Sequence, residues 1–163
     1  MPRRSASSVG APSAGATTDG TTHILRASLK PKLYRDVEID STASLSALAE
    51  AIIAAFEFDF DHAFGFYSKL DSNYHSSPQK YELFADMESG TSDAGSVAQT
   101  PVSRAFAKVG KKMLFLFDYG DEWRFQVELL KLGSKAPGRR YPRLLVASGD
   151  APAQYPDTDQ DQD

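Results

Sequence analysis

The chain has 163 residues, a formal net charge of −4 and no cysteine, which sets the expectation at one domain and excludes disulfides and thiolate metal sites. With Arg3, Arg4 and Asp19 at the head and the tail aspartates from Asp157 onward set aside, His23–Asp150 is within one charge of neutral. That balance argues against a protein that coats nucleic acid electrostatically, and no apolar stretch reaches the length of a membrane helix.

Residues 1–22 are mostly Ser, Ala, Gly and Thr, too poor in large apolar side chains to offset ordering entropy, and are expected to be disordered. No apolar run follows Arg3-Arg4, so no export signal is expected, and with no cysteine present the expected location is the cytoplasm. His23–Leu29 and Leu33–Ile39 both alternate in hydrophobicity on either side of Pro31, which predicts an antiparallel hairpin. Arg35 falls on the apolar face of the second strand, tolerable near a strand end or with its head reaching solvent. Asp40–Ser44 then supplies N-cap residues for a helix whose apolar stripe is Leu45, Leu48, Ala49, Ile52, Ile53 and Phe56.

Ala63–Leu70 reads as a strand. Residues 71–100, rich in Ser, Asp, Asn and Gly, read as a long surface loop with one short element near Tyr81–Phe84. Pro101–Val109 predicts a helical turn. Met113–Leu130 then reads as a hairpin, two apolar runs flanking Asp118-Tyr119-Gly120-Asp121-Glu122 and the single tryptophan, Trp123. A basic Gly/Pro loop follows, Leu144–Ala147 offers a last short strand, and residues 151–163 read as a disordered acidic tail.

The elements predict a single α+β domain over residues 23–150. Its sheet is mixed, mostly antiparallel, and covered on one face by one main amphipathic helix. A hairpin followed by a helix crossing to a further strand gives β-grasp-like topology as the leading expectation.

Three groups of residues carry chemistry. Asp118, Asp121 and Glu122, with Asp59, Asp61 and His62 brought near, would offer oxygen and imidazole ligands to a divalent cation and so support metal-dependent hydrolysis. The simpler reading makes Asp118 a turn former and leaves Asp121 and Glu122 solvated. Trp123 is either core or part of an exposed partner site. Lys135, Arg139, Arg140 and Arg143 suit a phosphate or nucleic-acid contact, or else form a solvated basic loop. None of the three histidines is expected to act in catalysis, and no cofactor is expected outside the divalent cation of the hydrolase alternative.

In chain order, Leu25–Leu29 with Pro31 and Tyr34-Arg35, Leu45-Ser46-Ala47-Leu48, Phe58-Asp59-Phe60-Asp61-His62, Phe115–Trp123 and Tyr141-Pro142-Arg143 resemble the plasmid ORF-three-like family over Ile24–Asp150. Some members of that family are labelled transposon-passenger TnpR proteins. The resemblance implies an α+β domain carried on mobile elements, with no assigned reaction. Two positions depart from the pattern: Phe64 stands where many relatives carry a second histidine, and Asp150–Tyr155 replaces a Cys-Pro-Pro-x-x-Cys segment. No helix-turn-helix or serine-nucleophile pattern supports a resolvase. The leading expectation is therefore a monomeric, non-catalytic module that binds a protein or nucleic acid, with a divalent-metal hydrolase as the alternative.

Overall fold

The computed structural model describes residues 20–86 and 93–155. Strands β1 (Thr21–Lys30) and β2 (Leu33–Asp40) form the hairpin around Pro31, with Leu25 opposite Val37 and Ala27 opposite Arg35. Helix α1 (Leu45–Ala55) starts at Ser44, whose Oγ accepts the Ala47 N–H at 3.1 Å and satisfies one of the free donors of the first turn. The remaining elements are β3 (Phe64–Tyr67), β4 (Lys80–Glu82), β5 (Gly95–Ser96), the short helix α2 (Val102–Ala105), β6 (Lys112–Phe117), β7 (Trp123–Ser134) and β8 (Arg143–Ser148).

The eight strands form one sheet in the order β5-β4-β3-β6-β7-β1-β2-β8. Only the β4–β5 pair is parallel. The α+β class and the mostly antiparallel sheet are as the sequence predicts, whereas β-grasp topology is not confirmed. After α1 the chain enters β3, which pairs with β4 and β6 and not with a strand of the first hairpin. The long strand β7 takes the place beside β1 along nearly its whole length.

The core gathers Leu25, Val37, Ile39, Phe64, Phe66, Phe115, Phe117 and Phe125 from the strands with Leu45, Leu48, Ile52 and Ile53 from α1. Phe115 is at its centre, 4.7 Å from the Phe66 ring and 5.4 Å from Phe125. Each such side chain contributes about 1.5–3 kcal/mol by burial, so the phenylalanine stack is the main anchor of β3, β6 and β7. Arg35 belongs to this side too and does not reach solvent. Its guanidinium lies 4.7 Å over Phe56, while Nε donates to Ala55 O and Nη1 to Tyr34 O and Ser148 O. A cation thus satisfies a carbonyl in the last turn of α1, where the helix dipole favours positive charge.

The opposite side carries a smaller cluster of Tyr67, Tyr74, Leu114 and Leu116. Tyr67 donates its hydroxyl to Glu82 at 2.5 Å and lies 2.7 Å from the Tyr119 hydroxyl. Burial and the Glu82 carboxylate push the Tyr67 hydroxyl far above its ordinary pKa. Gly65 lies beneath this pair, and a Cβ there would meet both tyrosine oxygens at 2.7 Å.

Three further boundaries differ from expectation. Thr21 and Thr22, placed in the disordered head, begin β1 through pairing with Ser134 and Gly133. The expected loop 71–100 contains 3-10 turns at Tyr74–Ser76 and Leu83–Asp86 together with β4 and β5, with residues 87–92 outside the described residues. Ala151–Tyr155, placed in the tail, packs against the segment after α1. The rest of the expected tail and residues 1–19 also lie outside the described residues. No described helix is long and apolar enough to cross a membrane.

Candidate functional site

The β6–β7 turn is built around Asp118. Its φ of +70° is in the left-handed region that Asp tolerates better than most residues, and its buried Oδ1 accepts the N–H groups of Gly120 (3.0 Å) and Asp121 (3.2 Å). One carboxylate oxygen is therefore committed to the turn. The other lies 3.5 Å from His62 Nε2, so the sequence-predicted pair of Asp118 and His62 does come together.

The rest of the predicted set does not join them. Glu122, itself at φ +55°, pairs through Oε1 with Arg124 at 3.1 Å, and Asp121 is exposed. Among the described residues no group of three or more His, Cys, Asp or Glu is placed to hold a metal ion. Trp123 is half-buried, edge-on to Phe58 at 4.8 Å, with its indole Nε1 buried and without an acceptor among the described residues. It belongs to the flank of the core and is not an exposed platform.

His62 instead pairs with its neighbour Asp61 and with Tyr155, which the sequence reading assigned to the tail. Asp61 Oδ1 is 2.7 Å from its Nδ1, and the Tyr155 hydroxyl donates to Asp61 Oδ2 at 2.7 Å while lying 3.2 Å from the same imidazole nitrogen. The hydrogen bond from Tyr155, aided by His62, holds the Asp61 carboxyl below its usual range, and Asp61 pushes the Tyr155 hydroxyl up to about 12. Gln154 completes the tie, accepting Asp59 N–H through Oε1 and donating to Asp59 O through Nε2. No local periodicity marks Gln154 and Tyr155. Their partners are more than 90 positions away, a pairing invisible to a pass along the chain.

The predicted basic group divides in two. Lys135 Nζ pairs with Asp40 at 2.7 Å and Arg143 Nε with Glu38 at 3.0 Å, whereas Arg139 and Arg140 are exposed. Burial would raise the Glu38 carboxyl, but hydrogen bonds from Thr22 and Arg143 outweigh it and hold the group ionised below its ordinary range. Two of the four cations are thus engaged within the chain before any phosphate arrives.

The same segment leads into β8, the outermost strand on its side of the sheet. Leu144, Leu145 and Val146 are 49%, 36% and 43% exposed, three consecutive large apolar residues on an edge. Between β8 and α1 lies an open, largely apolar cleft of about 250 Å³, lined by Val37, Ala51, Ala54, Ala55, Pro142, Leu144 and one charged residue, Arg143. The sequence signal for this surface was four apolar residues after Tyr-Pro-Arg, which alone do not tell an edge strand from a buried one.

Residues 22–155 match the model of the plasmid pRiA4b ORF-3-like protein family, a span that takes in all of the sheet but Thr21 and includes both the β6–β7 turn and β8. The chain belongs to this family. The pRiA4b ORF-3-like fold recurs in the crystal structure of a protein of unknown function from Methanosarcina mazei Go1, with a TM-score of 0.63 and 20% identity, covering 78% of this chain and 69% of that one. At that identity the likeness establishes the fold alone. No curated protein matches the chain.

Proposed function

We propose that this pRiA4b ORF-3-like protein is a non-catalytic interaction module that engages a protein partner through the β8 edge and the adjoining cleft. The observation that carries the reading is the exposed run Leu144-Leu145-Val146 on an edge strand, beside an apolar cleft. Contiguous exposed apolar surface of this kind marks interaction sites, and an edge strand also offers free backbone donors and acceptors. The reading takes α1 as the cover of the Phe115 side of the sheet, so that Ala51, Ala54 and Ala55 form one wall of the cleft.

Protein is favoured over nucleic acid because Lys135 and Arg143 are already paired with Asp40 and Glu38. The hydrolase alternative is the less favoured reading, since Glu122 turns to Arg124 and one oxygen of Asp118 is committed to backbone N–H groups. The mobile-element setting and the cytoplasmic location remain part of the proposal, supported by the family resemblance and the cysteine-free composition.

The test is a photo-crosslinking residue placed at Val146 in the full chain and, as a control, at Val109, which is 60% exposed. Irradiation in cells is expected to give a discrete heavier adduct from position 146 and none from 109. Equal, diffuse labelling at both positions would remove the basis for this surface.

A further inference from the structure

Resting on that reading, we infer that the occupant of the β8 edge is a second copy of this chain, docked by a two-fold antiparallel apposition of β8 with β8. This replaces the monomer expected from the sequence.

The chemistry of the patch sets the terms. Its nearest charges are consumed internally: Arg143 by Glu38 at 3.0 Å, and Asp36 by Arg26 at 2.8 Å. The partner must therefore be apolar and near neutral at the contact, and the patch itself has that composition. Reversed against itself, Arg143-Leu144-Leu145-Val146-Ala147-Ser148 sets apolar residues opposite apolar residues. With Leu145 facing Leu145, Arg143 meets Ala147. With Leu145 facing Val146, it meets Ser148. Neither register brings like charges together.

Charge at the strand ends is a minor term. The basic start of each β8, with Arg139 and Arg140, points toward the partner's end, where Asp150 follows but Lys32 also lies exposed. The driving contact is apolar. A standard stable interface buries about 800 Å² per partner, more than a short strand pairing supplies alone, so the cleft along α1 has to be covered as well. Its alanines leave that wall low, and a leucine of the second copy is suited to enter a space of about 250 Å³.

The geometry also limits growth. Leu145 is the extra residue where the β2–β8 register shifts between Asp36 and Val37, so it has no partner on β2 and is left for contact with the second copy. At the far end of the sheet β5 is only Gly95–Ser96. An isologous pair uses up its own patch and closes at two copies.

The test combines sedimentation velocity of the full chain with single-cysteine disulfide trapping, which the cysteine-free background makes unambiguous. Between about 1 μM and about 500 μM the protein is expected to pass from monomer to dimer, and Leu145→Glu and Val146→Lys each to weaken association about tenfold or more. Leu145→Cys, at or beside the two-fold axis, is expected to oxidise to a disulfide dimer well before Val109→Cys, because bonding needs Cα atoms about 4.4–6.8 Å apart. A monomer throughout that range, with Leu145→Cys no faster than Val109→Cys, overturns the inference. So does a dimer indifferent to both charged substitutions. A photo-adduct from Val146 to another protein, with the purified chain monomeric, would sink the self-pairing and leave the interaction module standing.

Discussion

The β6–β7 turn and the β8 edge are opposites in how their groups are used. At the turn, conspicuous residues are spent on the fold: Asp118 holds two backbone N–H groups, His62 is held by Asp61, and Gln154 and Tyr155 fasten the C-terminal segment to the same knot. At the edge, inconspicuous residues are left over: Leu144, Leu145 and Val146 lie on a strand paired on one side only. Acidic clusters attract functional readings because charge is rarely buried without a reason, yet a turn supplies such a reason. Exposed apolar residues attract less notice, although what they leave unburied is a more direct pointer to a partner.

That contrast makes predictions of graded size. The largest effect belongs to the shared core: Phe115→Ala removes the centre of the ring stack and is expected to cost about 3–5 kcal/mol in urea unfolding. Asp118→Ala leaves two N–H groups of the turn without an acceptor and is expected to cost about 1–3 kcal/mol, while Asp118→Asn, which keeps an acceptor and suits positive φ, costs less. If the carboxylate were instead held for chemistry, Ala and Asn would be equally silent in unfolding.

A pH effect comes from His23, buried with Nδ1 2.7 Å from Ser41 Oγ and Nε2 3.0 Å from Phe106 O. Burial lowers its pKa below the ordinary 6.5, so between the folded value and 6.5 the unfolded chain binds more protons. Stability is therefore full above about pH 6.5 and falls as pH drops toward the folded value, with a slope of at most about 1.4 kcal/mol per pH unit. Denaturation at stepped pH checks this, and His23→Gln should flatten the curve in that window.

Gln154→Ala is expected to cost about 1 kcal/mol and to speed amide exchange at Asp59, its hydrogen-bonded partner. The smallest effect sharpens the contrast most. Leu145→Glu is expected to change unfolding free energy by no more than about 0.5 kcal/mol, since an exposed edge position contributes little to the fold it belongs to. A large loss there would make β8 a structural strand and dissolve the distinction between the two regions.

Much of the fold was legible in the sequence because period-two and period-3.6 patterns report burial directly. The first hairpin, α1 and the β6–β7 pair are where that patterning put them. The sheet order was not, because strand neighbours are a long-range choice: β7 carries matching registers for both β6 and β1, and nothing local says that it inserts between β3's partner and the first hairpin. At the site, Asp118 and His62 each stood out in the sequence, but what brings them together, the Asp118 N–H donating to Ala63 O, is a long-range link that no local pattern reports. Gln154 and Tyr155 were missed because their polar partners are far away in sequence, and Arg35 was misplaced because its charge hid a role as a cap on α1.

The central claim, that β8 rather than the acidic turn is the working surface, is tested most directly by amide NMR as the protein is concentrated from about 10 μM to about 1 mM, where weak contacts fill. The account predicts shifts or broadening confined to Leu144–Ser148 and Ala51–Ala55, with Asp118–Trp123 and His62 unmoved. Perturbation centred on Asp118–Trp123 and His62, with β8 silent, would contradict it.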